Sequence, residues 1–210
     1  MRRGSVGVFG VAAGAAVLAV AVGASPVAGQ DYEGLWAAGV PYEEFRDGVE
    51  ARRSLWERNT ERAQVPASLL ERARSVPGSW RLLVVATDRC SDSVSTLPYI
   101  AALVERVDGL ALRIVPPDEG RAVMAAYRTP DGRSATPTVV LLDDAGRPAG
   151  AWVERPSELQ SWFNRNPDGL SHDERYFQKM AWYARDAGVS TVEEVVELLV
   201  NQVSRERGTQ

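Results

Sequence analysis

The chain has 210 residues, of which 45% are hydrophobic, so it is long and apolar enough for one globular domain with extensions, and extended disorder is excluded. Its formal net charge of −4 becomes more negative without Arg2 and Arg3, which argues against a nucleic-acid partner. Lys179 is the only lysine, so nearly all basic residues are arginines. We interpret this excess of arginine as genome composition rather than as an arginine-based site.

The N-terminus has the pattern of an export signal. Two arginines precede residues 4–30, which carry no charge and are rich in Ala, Val and Gly. The small residues at 27–29 suit signal peptidase, and Ala24 gives a second cleavage point. The stretch is also long enough to span a bilayer, so an uncleaved anchor through residues 4–28 stays open. Both alternatives predict an exported protein, periplasmic in a bacterium or otherwise extracytoplasmic.

Next in chain order come patterns that predict packing helices. Residues 31–39 indicate a linker. A helical pattern begins at Pro41 and brings three apolar residues, Phe45, Val49 and Trp56, onto one face. A shorter helix is predicted from Pro66 to about Arg74.

A buried strand and a helix then flank the chain's only cysteine. Residues 82–86 form the continuous apolar run of a strand buried on both faces. After a polar turn, four apolar residues recur at helical spacing: Val94, Leu97, Ala101 and Val104. Cys90 lies at this junction, where unpaired backbone N–H groups and the positive end of the helix dipole favour a thiolate.

A single cysteine in an exported protein excludes an internal disulfide, so the thiol is either an inert core residue or a reactive group. The neighbours of Cys90 are Asp88, Arg89, Ser91 and Asp92. This polar turn favours the reactive alternative.

The rest of the chain alternates strands and helices. Strands are predicted at residues 110–115, 139–142 and 148–154, the last two joined by a hairpin signal at 143–146. Helices are predicted at 118–127, 157–164, 173–187 and 191–203. Ser190 or Thr191 with Glu194 resembles a capping box for the last helix.

This order of elements resembles the thioredoxin fold, an α/β fold in which helices flank a central mixed sheet. The residues from Cys90 to Ser93 stand where thioredoxins have Cys-x-x-Cys, and Pro98 matches the proline that kinks the active-site helix. Thr136-Pro137 matches the cis-proline loop that faces the cysteine, and residues 143–147 match the hairpin turn. The resemblance covers about residues 80–163, and the tail is similar to the extension of a bacterial thioredoxin-like subgroup.

The N-terminal pattern and the resemblance together divide the chain into four segments. We expect a signal peptide or anchor at 1–29, an N-terminal helical extension at 30–78, a thioredoxin-like domain at 79–166 and a C-terminal helical extension at 167–210. No cofactor and no metal are expected. The only histidine, His172, has acidic neighbours that suit a helix start better than a catalytic base.

Three departures from the family pattern predict a monothiol site. Ser93 replaces the second cysteine, Arg89 replaces the usual aromatic residue, and Val84 stands where thioredoxins carry a buried acid. Without a second cysteine, the chain lacks the internal disulfide that resolves a mixed disulfide. Cys90 is therefore expected to act on protein or small-molecule thiols and disulfides, with release by an external thiol.

The neighbours of Cys90 have roles that the sequence leaves open. Arg89 would favour the thiolate, whereas Asp88 and Asp92 would oppose it. The hydroxyl of Ser93 would either donate a hydrogen bond to the sulfur or belong to an ordinary first helical turn.

The substrate loop also has two interpretations. With a cis Pro137, the backbone of Thr136 would lie beside the sulfur and could pair with an extended substrate. With a trans proline, the loop would only begin a strand.

Two other functions remain as alternatives. One is a non-catalytic binding or chaperone-like module that uses the Thr136-Pro137 edge. The other is a one-cysteine thiol peroxidase, because Thr87 and Cys90 match part of a peroxiredoxin site, although Leu83 stands where that site has a proline.

Overall fold

A computed structural model describes residues 29–208 and contains, within that range, nine helices around a four-stranded sheet. The strands are β1 (Trp80–Val85), β2 (Leu110–Val115), β3 (Thr138–Leu142) and β4 (Pro148–Val153). The helices are α1 (Tyr32–Ala38), α2 (Tyr42–Asp47), α3 (Arg53–Arg62), α4 (Ala67–Arg74), α5 (Ser91–Val104), α6 (Arg121–Ala126), α7 (Ser157–Arg165), α8 (His172–Asp186) and α9 (Val189–Gly208). The predicted signal or anchor at 1–29 falls almost entirely outside the described residues.

The sheet is mixed, with strand order β2-β1-β3-β4. Strand β1 pairs in parallel with β2 and antiparallel with β3, and β4 pairs antiparallel with β3. Helices flank this sheet, so the predicted α/β thioredoxin-like fold is confirmed.

Strand β1 is buried on both faces, as its apolar run predicts. Leu82 and Val84 pack into one core with helices α3, α4, α5 and α9, while Leu83 and Val85 pack into a second core with α1 and α6. All four side chains are inaccessible to solvent. Because side chains alternate along a strand, a strand covered by helices on both faces needs apolar residues at every position.

The linker predicted at residues 31–39 is wrong, because this segment contains helix α1. Asp31 caps that helix by accepting a hydrogen bond from the Gly34 N–H at 2.7 Å. Tyr32 is buried, and its hydroxyl lies 3.3 Å from that of Tyr127. Local capping and a contact distant in sequence therefore stabilise a seven-residue helix that is too short for hydrophobic periodicity to reveal.

The single helix predicted from Pro41 is divided in two. Helix α2 ends before Gly48, and α3 begins after Arg52, which adopts a left-handed conformation with φ of 56°. The break still allows Phe45 and Trp56 to meet edge to face, with ring centroids 5.4 Å apart.

The capping box predicted at Glu194 is also wrong. Helix α9 begins earlier, at Val189, and the Glu194 carboxylate instead accepts hydrogen bonds from Trp152 Nε1 at 2.7 Å and from the Ser157 N–H at 2.8 Å. A complete capping box forms at the start of α8, between Ser171 and Glu174.

Candidate functional site

Cys90 directly precedes helix α5. It is the N-cap of that helix, with an extended backbone, and its thiol is free and half-buried. The Ser93 N–H donates to Cys90 Sγ at 3.4 Å. The sulfur thus takes the place of the oxygen that usually caps a helix, facing the first unpaired N–H groups.

The loop before β3 faces this sulfur. The Thr136–Pro137 peptide bond is cis, and Cys90 Sγ donates to the Thr136 carbonyl oxygen at 3.1 Å. The sheet explains why these segments meet: Val85, the last residue of β1, pairs with Thr138, the first residue of β3. The turn that follows β1 and the loop that precedes β3 therefore emerge at the same edge.

Ser93 contributes its backbone rather than its side chain. Its hydroxyl is fully buried and has no hydrogen-bond partner among the described residues. The hydrogen bond to the sulfur comes from the N–H of the same residue.

The turn that carries Cys90 is held by the N-terminal segment. The Asp88 carboxylate accepts hydrogen bonds from the N–H groups of Ala51 at 2.8 Å and Glu50 at 3.1 Å, and its carbonyl accepts from Trp56 Nε1 at 3.1 Å. Burial by itself would raise the pKa of Asp88, but these two backbone N–H groups outweigh it and hold the pKa below its ordinary value. Asp88 is therefore an anchored carboxylate.

The Arg89 side chain is exposed and forms no hydrogen bond or ion pair with the described residues. Its carbonyl accepts from Arg52 Nε at 2.8 Å, and Arg52 also donates to the Tyr176 hydroxyl of α8 at 3.0 Å. The Cys90 turn, the left-handed residue before α3 and helix α8 thus form one connected surface.

Pro98 lies inside α5, as predicted, and removes a hydrogen-bond donor from it. The N–H at position 98 would bond the Val94 carbonyl in a regular helix. That carbonyl instead accepts from Asn59 Nδ2 of α3 at 2.8 Å. The N-terminal helices therefore complete the helix that presents Cys90.

A buried group of four charged side chains and one tyrosine adjoins the site, and we call it the Asp92 cluster: Asp92, Glu154, Arg155, Lys179 and Tyr183. Each member is at most 5% exposed. The Asp92 carboxylate accepts from Lys179 Nζ at 2.7 Å and from the Tyr183 hydroxyl at 2.8 Å, and it lies 3.3 Å from Arg155 Nε. Arg155 also pairs with Glu154.

The sequence indicates Asp92 as a charge beside Cys90, but it does not identify the other four members of the cluster. They lie 62 or more positions away along the chain, beyond the range of helical or strand periodicity. The signals that could have found them are a single lysine in the chain and adjacent charges at 154 and 155 directly after a strand.

The other side chains considered from the sequence lie apart from the sulfur. The Thr87 hydroxyl contacts the Asp88 carboxylate and the Arg89 N–H rather than Cys90. His172 is the exposed first residue of α8. Val84 is fully buried in the core. Among the side chains described, those of residues 29–202, no three of His, Cys, Asp or Glu are grouped to hold a metal ion.

Comparison with known proteins identifies a family. A family model described as thioredoxin matches residues 39–172, which contain the whole sheet and helices α2 to α7. No curated protein matches the sequence significantly. Across the described part of the chain, no helix is long and apolar enough to cross a membrane.

Two solved structures share the fold, each with a TM-score of 0.63 and 21% identity over 81% of this chain. One is a protein of unknown function from Pseudomonas aeruginosa, covered over 97% of its length, and the other is an HIV epitope-scaffold, covered over 98%.

Proposed function

This chain belongs to the thioredoxin family, and on that basis we propose that it is an exported monothiol thiol–disulfide exchange protein with Cys90 as its nucleophile. One observation carries the proposal: the only cysteine of the chain caps a helix N-terminus and faces the Thr136-Pro137 loop at 3.1 Å. The half-buried sulfur is open to a reactant, and the helix N–H groups favour its negatively charged form.

The reaction has two balanced steps. The Cys90 thiolate attacks one sulfur of a substrate disulfide, a Cys90–substrate disulfide forms, and the other substrate sulfur leaves as a thiolate. An external thiol, from a small molecule or a second cysteine of the substrate, then attacks the mixed disulfide and releases Cys90. Ser93 has no sulfur for an internal disulfide, so this second thiol has to come from outside the chain.

The Thr136-Pro137 loop is the proposed substrate edge. An extended segment that pairs with the Thr136 backbone would bring its own sulfur beside Cys90 Sγ, because the two loops already touch. The partners are protein or small-molecule thiols and disulfides, and the negative charge of the chain disfavours nucleic acid.

Export is proposed from residues 1–29 and their uncharged, apolar composition after two arginines. The protein would then act in the periplasm or another extracytoplasmic compartment, released by cleavage or held by residues 4–28. Fusing these residues to a reporter that is active only after export tests this part, and retention of the fusion in the cytoplasm would contradict it.

The redox proposal is tested by trapping. The full-length protein and a Cys90→Ser control are incubated with oxidised glutathione, and the intact mass is followed with time. We expect one glutathione adduct on the wild type, none on the control, and loss of the adduct when a free thiol is added. An adduct that forms no faster than on free cysteine would overturn the proposal.

A second candidate is a non-catalytic binding module in which Cys90 is structural. One observation favours it: Cys90 Sγ donates to a carbonyl, which only the protonated thiol can do. Cys90→Ser retains a donor at this place, whereas Cys90→Ala does not. Full cellular function in Cys90→Ser with loss of stability in Cys90→Ala would identify the structural role; loss of function in both would favour exchange chemistry.

A further inference from the structure

The Asp92 cluster has a composition that stability alone does not explain. Four charged side chains, two acids and two bases, are each at most 5% exposed. Withdrawing charges from water is costly, and a buried ion pair is often no more stabilising than apolar residues of the same volume. Such a cluster beside a candidate nucleophile is therefore a candidate for a functional role.

The cluster is attached to the residues that directly follow Cys90. Lys179 Nζ donates to Ser91 Oγ at 2.9 Å and to the Asp92 carboxylate at 2.7 Å. Tyr183, also on α8, remains protonated and donates to Asp92, because burial and then the Asp92 charge raise its pKa well above the ordinary value. Helix α8, together with Arg155, thus neutralises the acid in the first turn of α5.

The cluster also reaches the substrate loop. Glu154 adopts a left-handed backbone with φ of 69°, an unfavourable conformation for a non-glycine residue. In this conformation its N–H donates to the Pro137 carbonyl at 2.8 Å, while its carboxylate pairs with Arg155 and with Arg133. The loops on both sides of the sulfur are therefore fixed by one network.

Charges from several elements surround the Cys90 turn. Asp88 and Arg89 lie on the turn itself, and Arg52 contacts it from the N-terminal segment. Through hydrogen bonds or ion pairs, the adjoining elements contribute Asp92, Arg133, Glu154, Arg155, Tyr176, Lys179 and Tyr183. Asp92 is the buried acid two positions from the sulfur, so without its cationic partners it would oppose a second negative charge.

We propose that Lys179 and Arg155 are positioning residues for Cys90: by neutralising Asp92 they allow the sulfur to carry the negative charge that exchange requires, a role that rests on the function proposed above. The C-terminal helix α8 is then part of the reactive site. If the Asp92 cluster had no such role, the reactivity of the Cys90 thiol would depend only on its place at the N-terminus of α5.

The test is the rate at which neutral iodoacetamide alkylates Cys90, measured against pH on the full-length protein. The chain has no other cysteine, so the signal reports this thiol alone, and an uncharged reagent is not steered by surface charge. We expect Lys179→Met to slow the reaction at neutral pH about tenfold and to move the rate profile to higher pH. Lys179→Arg, which keeps the cation, should stay within about twofold of the wild type.

Two further variants separate electrostatics from folding. Asp92→Asn removes the opposing charge, so it should speed alkylation, and added to Lys179→Met it should restore the rate. Arg147→Met serves as a matched control, since it breaks an exposed 2.7 Å ion pair with Asp143 in the hairpin, at the end of β3 away from Thr138. Arg147→Met should leave the alkylation rate of Cys90 and its pH profile unchanged.

Each result has a separate meaning. Identical profiles for wild type, Lys179→Met and Asp92→Asn would overturn the positioning role. If Lys179→Met does not fold, an unchanged rate in Asp92→Asn would overturn it equally. A wild-type Cys90 that is no more reactive than free cysteine would instead overturn the proposed exchange function. The positioning role is judged separately, from the differences in rate among the variants.

Discussion

The support that Asn59 gives to the helix of Cys90 leads to a sharp prediction about stability. Asn59 Nδ2 donates at 2.8 Å to the Val94 carbonyl, the group that Pro98 leaves without its helical partner. Val94 is fully buried. Asn59→Ala should therefore leave a buried carbonyl unsatisfied, and the expected loss is about 1–2 kcal/mol of the free energy of unfolding.

A double-mutant cycle makes the reasoning refutable. Pro98→Ala restores an N–H at position 98 that can bond the Val94 carbonyl. In that background Asn59→Ala should cost less than about 0.5 kcal/mol, so the two substitutions should couple by about 1 kcal/mol. Urea unfolding of the four proteins, followed by tryptophan fluorescence, supplies the numbers. An equal cost in both backgrounds would show that Asn59 does not act through the Val94 carbonyl.

Three further predictions concern the stability of the fold. Gly188→Ala should lower the free energy of unfolding by more than about 2 kcal/mol, because a Cβ would lie 2.0 Å from the Tyr99 ring at a φ of +77°. Gly132→Ala has a similar φ of +83° but open space around it, so it should cost only about 1 kcal/mol. Equal costs in thermal or urea unfolding would refute the clash. Trp56→Ala should cost about 3–5 kcal/mol, because it empties a fully buried site and removes a donor to the Asp88 carbonyl; an unfolding midpoint near the wild type would contradict this. Asp131 has a pKa lowered to about 2, mainly by its hydrogen bond to Arg133, so its stabilisation is present above the ordinary aspartate pKa and is lost as the pH falls toward 2. Asp131→Asn should therefore destabilise slightly at pH 7, by less than about 1 kcal/mol because the pair is largely exposed, and the cost should shrink as the pH falls through about 2. A loss independent of pH would contradict the ion pair.

The elements that periodicity determines were predictable. Residues 82–86 are apolar at every position because strand β1 is covered on both faces, and the apolar spacing after Cys90 marks helix α5, which is buried from Asp92 to Leu103. The meeting of Cys90 with the Thr136-Pro137 loop was implied by the family resemblance alone. It depends on the antiparallel register of β1 and β3, which the sequence does not display.

The contacts that were not predicted join residues far apart along the chain. Helix α1 depends on a cap at Asp31 and on the contact of Tyr32 with Tyr127, 95 positions further along the chain. The Asp92 cluster likewise depends on which face α8 turns toward α5, and no local pattern specifies that choice. The sequence therefore gives Lys179 no role beyond being the only lysine, although its side chain is buried against Asp92.

The central claim is that Cys90 performs exchange as a monothiol, and one comparison tests it most directly. The glutathione adduct of the wild type is purified free of thiols and followed by intact mass beside the adduct of Ser93→Cys. The account predicts that the wild-type adduct persists until an external thiol is added, whereas Ser93→Cys loses it by forming an internal disulfide. A wild-type adduct that never forms, or that disappears without any thiol, would contradict the account.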